Sequence, residues 1–139
     1  MLFDKDHSRC NKKQRIIVSA ERGRKHIAHN DNSSDVFQYR IDGDIVQGTD
    51  IKKCDYIVEN ETKRIAYLIE LKGEHLGEAV DQIESTLVLF SDKLKGYTVY
   101  LRIVYRSNTH AVNSAKVLRF KKKYGKMQRI ETNIIEETI

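Results

Sequence analysis

Alternating apolar and polar positions in the middle of the chain predict two neighbouring strands. Over residues 64–72 one set of alternate positions is apolar throughout, and the other runs through Ala66 and Leu68 to Glu70 and Lys72. Because side chains alternate between the two faces of a strand, Glu70 and Lys72 share a face, and the apolar middle indicates a covered central strand. A preceding strand at about 53–59 carries Asp55, and the polar residues 60–63 are typical of a connecting turn.

The rest of the pattern predicts an α/β domain. Ser19 is a suitable cap for a helix over 19–29, and residues 36–41 alternate as a first strand. Apolar residues at helical spacing predict a helix over 76–90, and the β-branched and aromatic segment 97–105 predicts a further strand. A second helix is predicted over 112–124, with a last strand from 127 to between 130 and 135. We therefore expect one domain over 1–139, with its core at about 16–131 and a mixed central sheet of four or five strands flanked by helices.

The two middle strands bring three charged groups close together. If Glu59 pairs with Arg64 across the turn, Asp55 lies opposite Leu68, and Glu70 is its diagonal neighbour on the same face. Two carboxylates are a usual protein contribution to an Mg²⁺ site, which substrate phosphate and water complete. A neighbouring Lys72 ammonium would position the nucleophile and offset developing negative charge. The alternative is that these three residues are ordinary surface charge in a chain that is 32% charged.

This arrangement resembles the PD-(D/E)XK nuclease superfamily, which has a restriction-endonuclease-like fold. The resemblance covers about residues 36–105, with Asp55 on the second strand of the family meander and Glu70 and Lys72 on the third. It implies the element order αβββαβ, and a Mg²⁺-dependent endonuclease in which Mn²⁺ can substitute and Asp55 and Glu70 hold the metal. The chain departs from the motif because it contains no proline, and Cys54 stands where the motif has one.

The same resemblance singles out two further residues. An acidic residue on the family's first helix often joins the metal site, and Glu21 is the carboxylate in that stretch; its alternative role is a favourable charge near a helix N-terminus. In some subfamilies a Gln on the helix after the motif contacts the substrate or the attacking water. Gln82 matches by position, and its alternative role is a half-exposed helical side chain. The resemblance thus gives Asp55, Glu70, Lys72 and Gln82 catalytic roles and makes Glu21 a third metal ligand.

The balance of charge favours a nucleic-acid partner. The formal charge is +5 and the isoelectric point about 9.2, and basic residues concentrate in an early and a late segment. Such residues bind phosphates through salt-dependent contacts, although a solvated basic face is an equal alternative. The residues that we expect to bind nucleic acid are Lys116, Arg119, Lys122, Lys123, Arg24 and Lys25.

Several other classes of protein fit the sequence poorly. Its apolar runs are too short to span a membrane, and no signal peptide is visible, so we expect a cytoplasmic protein without a membrane partner. Cys10 and Cys54 make neither a disulfide framework nor a zinc spacing, and Cys54 is expected to be a small buried residue. The chain has no P-loop, no dinucleotide fingerprint and no nucleophile elbow.

The expected function is therefore metal-dependent hydrolysis of phosphodiester bonds, with DNA as the expected substrate. Three alternatives stay open: a catalytically inactive nucleic-acid-binding module, a protein-interaction module on the same fold, and an RNase or toxin with the same chemistry. Small nucleases of the resembled type often form dimers, so a homodimer or a partner subunit is also open. The substrate structure, the sequence preference and the biological pathway are not encoded in these motifs.

Overall fold

A computed structural model describes residues 1–72, 75–106 and 114–139. Two helices and eight strands are found there, together with 3₁₀ turns at Lys5–His7 and Gly125–Met127. In chain order the elements are β1 (Ile16–Glu21), β2 (Arg24–His29), β3 (Val36–Arg40), β4 (Tyr56–Asn60), β5 (Ile65–Lys72), α1 (Leu76–Leu89), β6 (Thr98–Tyr105), α2 (Ala115–Tyr124), β7 (Gln128–Thr132) and β8 (Ile134–Thr138).

The main sheet has five strands in the order β3-β4-β5-β6-β7. The first three strands are antiparallel, whereas β5, β6 and β7 run parallel. A parallel pair needs a long crossover connection, and the chain supplies one through α1 and another through α2. The predicted α/β architecture with a mixed sheet of four or five strands is confirmed.

Both helices belong to the larger of two apolar cores. The predicted stripe of α1 is buried at Leu76, Val80 and Ile83, which pack with residues of β4, β5 and β6. Leu87 of that stripe is only half-buried, and Thr86 is buried instead. The apolar spacing of residues 112–124 predicts that Leu118 faces inward, but the buried residues of α2 are Val117 and Phe120 and Leu118 is exposed, so this prediction is wrong. Val117 and Phe120 are three positions apart and therefore share one face of the helix. Val112, the first residue of the predicted helix, lies outside the described residues.

Neither helix in the described part of the chain has the length and apolar character needed to cross a membrane. Cys54 is fully buried in the larger core and carries a free thiol, as predicted. Because α1 and α2 share the larger core with β4, β5 and β6, the main sheet has one face that is covered by helices.

A smaller second sheet, rather than a helix, is formed by the first part of the chain. The order is β1-β2-β8, and β1 and β2 form an antiparallel hairpin, so the predicted helix over 19–29 and the leading helix of the order αβββαβ are wrong. Arg22 and Gly23 make the two-residue turn, and both have positive φ, as a tight hairpin of this kind requires. Inward side chains such as Ile17 and Ala28 share a second apolar core with Val58, Ile69, Val104 and Ile135.

The register between β4 and β5 differs from the predicted one by two residues. Glu59 pairs with Ala66, not with Arg64, because β4 continues to Asn60 and the turn occupies residues 61–64. The Asn60 side chain fixes this turn by accepting a hydrogen bond from the Lys63 N–H at 3.0 Å. Continued by one step beyond Tyr56–Ile69, the pairing places Asp55 directly opposite Glu70 instead of diagonally from it.

Candidate active site

A polar cavity of about 430 Å³ opens where β5 and β6 end. Its walls come from four places: the tip of the β1–β2 hairpin, the loop after β3, the ends of β5 and β6, and one turn of α1. Charged and amide side chains dominate the lining, which consists of Glu21, Arg22, Arg24, Asp42, Asp55, Glu70, Leu71, Lys72, His75, Gln82 and Arg106.

The Asp55 and Glu70 carboxylates lie at the base of this cavity. Asp55 precedes β4, and its backbone N–H donates to the Ile69 carbonyl at 3.1 Å, which extends the ladder to this point. Its Oδ2 accepts a hydrogen bond of 2.8 Å from the Leu71 N–H. Glu70 is only 2% exposed, and it lies among apolar residues of its strand. The ladder therefore holds the buried Glu70 beside the half-buried Asp55.

Burial and neighbouring negative charges raise the pKa values of both carboxyls. For Asp55, burial raises the pKa to about 6; the Leu71 N–H opposes this, and the charges of Glu21 and Asp42 reinforce it. For Glu70, burial raises the pKa well above its usual range, and the neighbouring Asp55 charge is the next cause. The Lys72 ammonium lowers the Glu70 pKa without reversing the shift. The pair is short of positive charge.

Two acceptor atoms near this pair have no hydrogen-bond partner among the described residues. They are Glu70 Oε1 and Gln82 Oε1, both buried side-chain oxygens of residues that line the cavity. Lys72 also lines it, but its Nζ is 2.9 Å from Glu78 Oε2 on the more exposed side. Buried oxygens are nearly always satisfied by protein or by ordered water, so these two mark a place for a further group.

The hairpin adds an acid and a buried guanidinium. Glu21 ends β1 and pairs in register with Arg24, the first residue of β2. Arg24 is only 5% exposed, and its Nε donates to the Leu71 carbonyl at 3.2 Å. The Leu71 peptide thus binds Asp55 through its N–H and Arg24 through its carbonyl. Glu21 therefore reaches the cavity from a strand, not from the predicted helix.

The other predicted nucleic-acid-binding residues lie away from this cavity. Lys116 contacts Asp81 at 2.9 Å and Lys123 contacts Glu84 at 3.4 Å, so both join α2 to α1 through ion pairs. Arg119 borders the same shallow groove between the helices. The exposed residues Lys122, on α2, and Lys25, on β2, complete the predicted set.

The cavity also has polar contributors outside the predicted set. The pattern Asp42-Gly43 predicts a tight turn, and Asp42 lines the cavity from there while lying 3.5 Å from the buried Lys53 ammonium. Arg22 and Arg106 also line the cavity. Arg106 directly follows β6, and since parallel β5 and β6 end at the same edge of the sheet, the position of Arg106 after a strong strand was a usable signal.

The acidic pair fits a hard divalent cation. Among the residues that the structure describes, no group of three or more His, Cys, Asp or Glu side chains is arranged to hold a metal ion. Mg²⁺ commonly takes only one or two protein carboxylates, and the unpartnered Glu70 Oε1 is an oxygen that such a cation would satisfy. Asp55 and Glu70 would therefore hold it, whereas Glu21 shares the cavity without completing a three-ligand group.

Comparisons with protein-family models, with curated proteins and with solved structures find no match for this chain.

Proposed function

We propose that this protein is a Mg²⁺-dependent endonuclease that hydrolyses phosphodiester bonds, with DNA as its substrate, on a restriction-endonuclease-like core. One observation carries the proposal: a buried Glu70 oxygen that has no hydrogen-bond partner among the described residues lies beside Asp55, at the base of a cavity that Lys72 and Arg22 also line. A carboxylate that served only as surface charge would remain exposed to water, whereas burial strengthens the attraction between a carboxylate and a bound metal ion.

The element order supports the same function. Three antiparallel strands, a helix and a parallel strand follow one another, with Asp55 just before the second strand and Glu70 and Lys72 at the end of the third. The β1–β2 hairpin in place of a leading helix is a departure from the resembled family. It still brings Glu21 to the cavity, so the departure changes the support of the site more than its chemistry.

Each residue of the site has a role in hydrolysis. Asp55 and Glu70 hold the cation, which supplies Lewis-acid polarisation of the phosphoryl group and a more acidic water. The Lys72 ammonium orients the attacking water and offsets the negative charge that develops on phosphorus. Gln82 Oε1 accepts a hydrogen bond from that water and so fixes its direction. One P–O bond forms to water and one breaks to the leaving sugar oxygen, which receives the proton.

Nucleic-acid binding would be shared between the cavity rim and α2. Arg119 and Lys122 remain available for phosphates, while Lys116 and Lys123 would have to exchange their α1 carboxylates for phosphate. A second copy or a partner subunit would extend this small binding surface, and a cytoplasmic setting suits a free thiol such as Cys54.

The test is a cleavage assay on plasmid, linear duplex and single-stranded DNA and on RNA. Purified protein is incubated with Mg²⁺, Mn²⁺ or EDTA, and Lys72→Ala and Glu70→Gln are assayed beside the wild type. We expect metal-dependent cleavage that each substitution lowers by at least about a hundredfold, since each removes charge stabilisation or a metal ligand. Lys95→Ala, which removes an exposed charge from the turn before β6, should cleave like the wild type.

The outcome separates the alternatives. Cleavage of RNA alone would make the protein an RNase, and metal-dependent cleavage that survives both site substitutions would place the chemistry elsewhere. Nucleic-acid binding without cleavage would favour an inactive binding module.

A further inference from the structure

Two cations on the cavity rim are uncommitted. Lys72 contacts Glu78 and Arg24 binds backbone carbonyls, so both are already engaged within the protein. The guanidinium groups of Arg22 and Arg106 make no hydrogen bond or ion pair with the described residues, although both line the cavity and are exposed. An acidic cavity would ordinarily draw such side chains into ion pairs. Because these two guanidinium groups make none with the described residues, they can bind an anionic ligand.

Arg22 has an unusual place in the backbone. It is the first residue of the two-residue turn between β1 and β2, with φ of 48°, and Gly23 follows with φ of 83°. Asn and Asp are the favoured side chains at that position because they tolerate a left-handed backbone, whereas a long side chain such as Arg is disfavoured. A residue that is costly for the turn and lies at a polar cavity is a candidate for a role in binding.

The hairpin also holds Arg22 in a defined place. Arg24 ties the start of β2 to the Leu71 carbonyl on β5, and its Nη1 donates to the Arg22 carbonyl at 3.4 Å. The turn therefore moves together with the strand that carries Glu70 and Lys72. A guanidinium on such a support can make paired hydrogen bonds to a phosphate with little loss of entropy.

We propose that Arg22 binds the backbone phosphate next to the scissile one, so that the site selects a polynucleotide over an isolated phosphodiester. The proposal rests on the proposed function. The scissile phosphate belongs at the acidic base of the cavity, where a cation offsets the carboxylates. The neighbouring phosphate lies at the rim and needs a cation that the protein itself supplies, which is the position of Arg22.

Arg22→Asn is the informative substitution because Asn suits the turn. Its melting temperature should equal or exceed that of the wild type, so that a loss of binding cannot be assigned to misfolding. Binding of a fluorescent DNA oligonucleotide is measured over a range of salt concentrations in Mg²⁺, in the Lys72→Ala background, which keeps the substrate intact. Lys95→Ala is the control for loss of one positive charge, since Lys95 is 79% exposed at the other end of β6.

We expect Arg22→Asn to weaken binding by about tenfold and to reduce the slope of log affinity against log salt by about one, as the loss of one phosphate contact does. Arg22→Lys should recover part of the affinity. In the cleaving protein, Arg22→Asn should raise KM for an oligonucleotide by a larger factor than KM for bis(p-nitrophenyl) phosphate, which has no neighbouring phosphate.

Two results overturn the proposal: Arg22→Asn binds with the affinity and salt slope of the Lys95→Ala control, or the unsubstituted protein binds no nucleic acid. If the wild type cleaves DNA and Arg22→Asn leaves KM unchanged, the inference about Arg22 fails while the nuclease function stands. If no substrate is cleaved but Arg22→Asn still weakens binding, the nuclease function fails and Arg22 remains a nucleic-acid contact.

Discussion

Two groups of buried or half-buried carboxylates in this molecule have opposite electrostatic surroundings. Glu137, on β8, accepts hydrogen bonds from His26 Nε2 at 2.7 Å and from Arg102 Nε and Nη2 at 2.7 and 2.9 Å. Burial alone would raise the pKa of Glu137, but these bonds from His26 and Arg102 outweigh it and lower the pKa to about 2. This carboxylate is fully supplied with donors.

Asp55 and Glu70 have the opposite surroundings. The Leu71 N–H is the donor that Asp55 receives, Glu70 Oε1 receives none from the described residues, and their nearest acidic neighbours Glu21 and Asp42 raise both pKa values. Lys72 directs its ammonium toward Glu78. The same chain thus satisfies one buried acid completely and leaves a pair of them short of positive charge.

The contrast separates structure from function. The Glu137 cluster joins β2 and β8 of the small sheet to β6 of the large one, so its ion pairs hold the two sheets together. The Asp55–Glu70 pair joins nothing that the β4–β5 ladder does not already join. A protein that can build the first cluster retains the second at a cost in stability, which is expected where a cation or substrate is to bind.

Removing Arg102 should have the largest effect on stability. Arg102→Leu leaves Glu137 buried with His26 as its main partner, and breaking a buried pair in this way costs about 3 kcal/mol of the free energy of unfolding. Urea denaturation measures the change. Arg9→Leu breaks a comparably short contact with Asp44, but Arg9 is exposed and Asp44 only half-buried, and we expect a loss below about 1 kcal/mol. Equal losses in the two variants would remove the structural role of the Glu137 cluster.

The contribution of the Glu137 cluster to the free energy of unfolding should depend on pH in the acid range. The pKa of Glu137 is lower in the folded protein than the ordinary 4.5, so its stabilisation is complete above pH 4.5 and is lost as the pH falls toward 2. After allowance for its partial exposure we expect a contribution of about 2 kcal/mol. Glu137→Gln should flatten the stability curve between these pH values, whereas Glu136→Gln, at the neighbouring exposed pair with His29, should not. A curve unchanged by Glu137→Gln would contradict the low pKa.

The sequence predicted the parts of the fold whose burial follows a simple period. The apolar stripe of α1 and the double-sided apolar run of β5 are local patterns, and the mixed sheet follows from their order. The first hairpin was missed because its inward positions include the polar residues Ser19, Arg24 and His26, all of them buried. Their partners are distant in sequence: Gln38 Nε2, for example, donates to Ser19 Oγ at 2.9 Å. No local periodicity records such a partner.

The candidate site was predicted only in part, because some of its residues follow a local pattern and others come together only in the tertiary fold. Asp55, Glu70 and Lys72 lie on adjoining strands, so the alternation of side chains brings them together even with the register wrong by two. Arg22, Asp42 and Arg106 come from a hairpin tip, a loop and a strand end, which only the tertiary fold brings to one cavity. Their contribution follows from the topology, and only Arg106, placed directly after a strong strand that runs parallel to β5, has a signal in the sequence.

The smallest predicted effect is a gain in stability from Glu70→Gln, a substitution by a side chain of the same shape. Glu70→Gln keeps the size of the side chain and removes a buried charge that Asp55 repels. The free energy of unfolding should therefore rise by about 1 kcal/mol in metal-free buffer at neutral pH, since replacing a buried charge by a neutral group of similar size is often stabilising. Added Mg²⁺ should raise the melting temperature of the wild type, since a ligand of the folded state stabilises it, and should leave the melting temperature of Glu70→Gln unchanged.

The control is Glu84→Gln, which neutralises a half-exposed α1 carboxylate paired with Lys123. It should shift the free energy of unfolding by less than about 0.5 kcal/mol while keeping the response to Mg²⁺. Loss of stability in Glu70→Gln would mean that the carboxylate is satisfied within the protein, as Glu137 is, and the contrast between the two clusters would disappear.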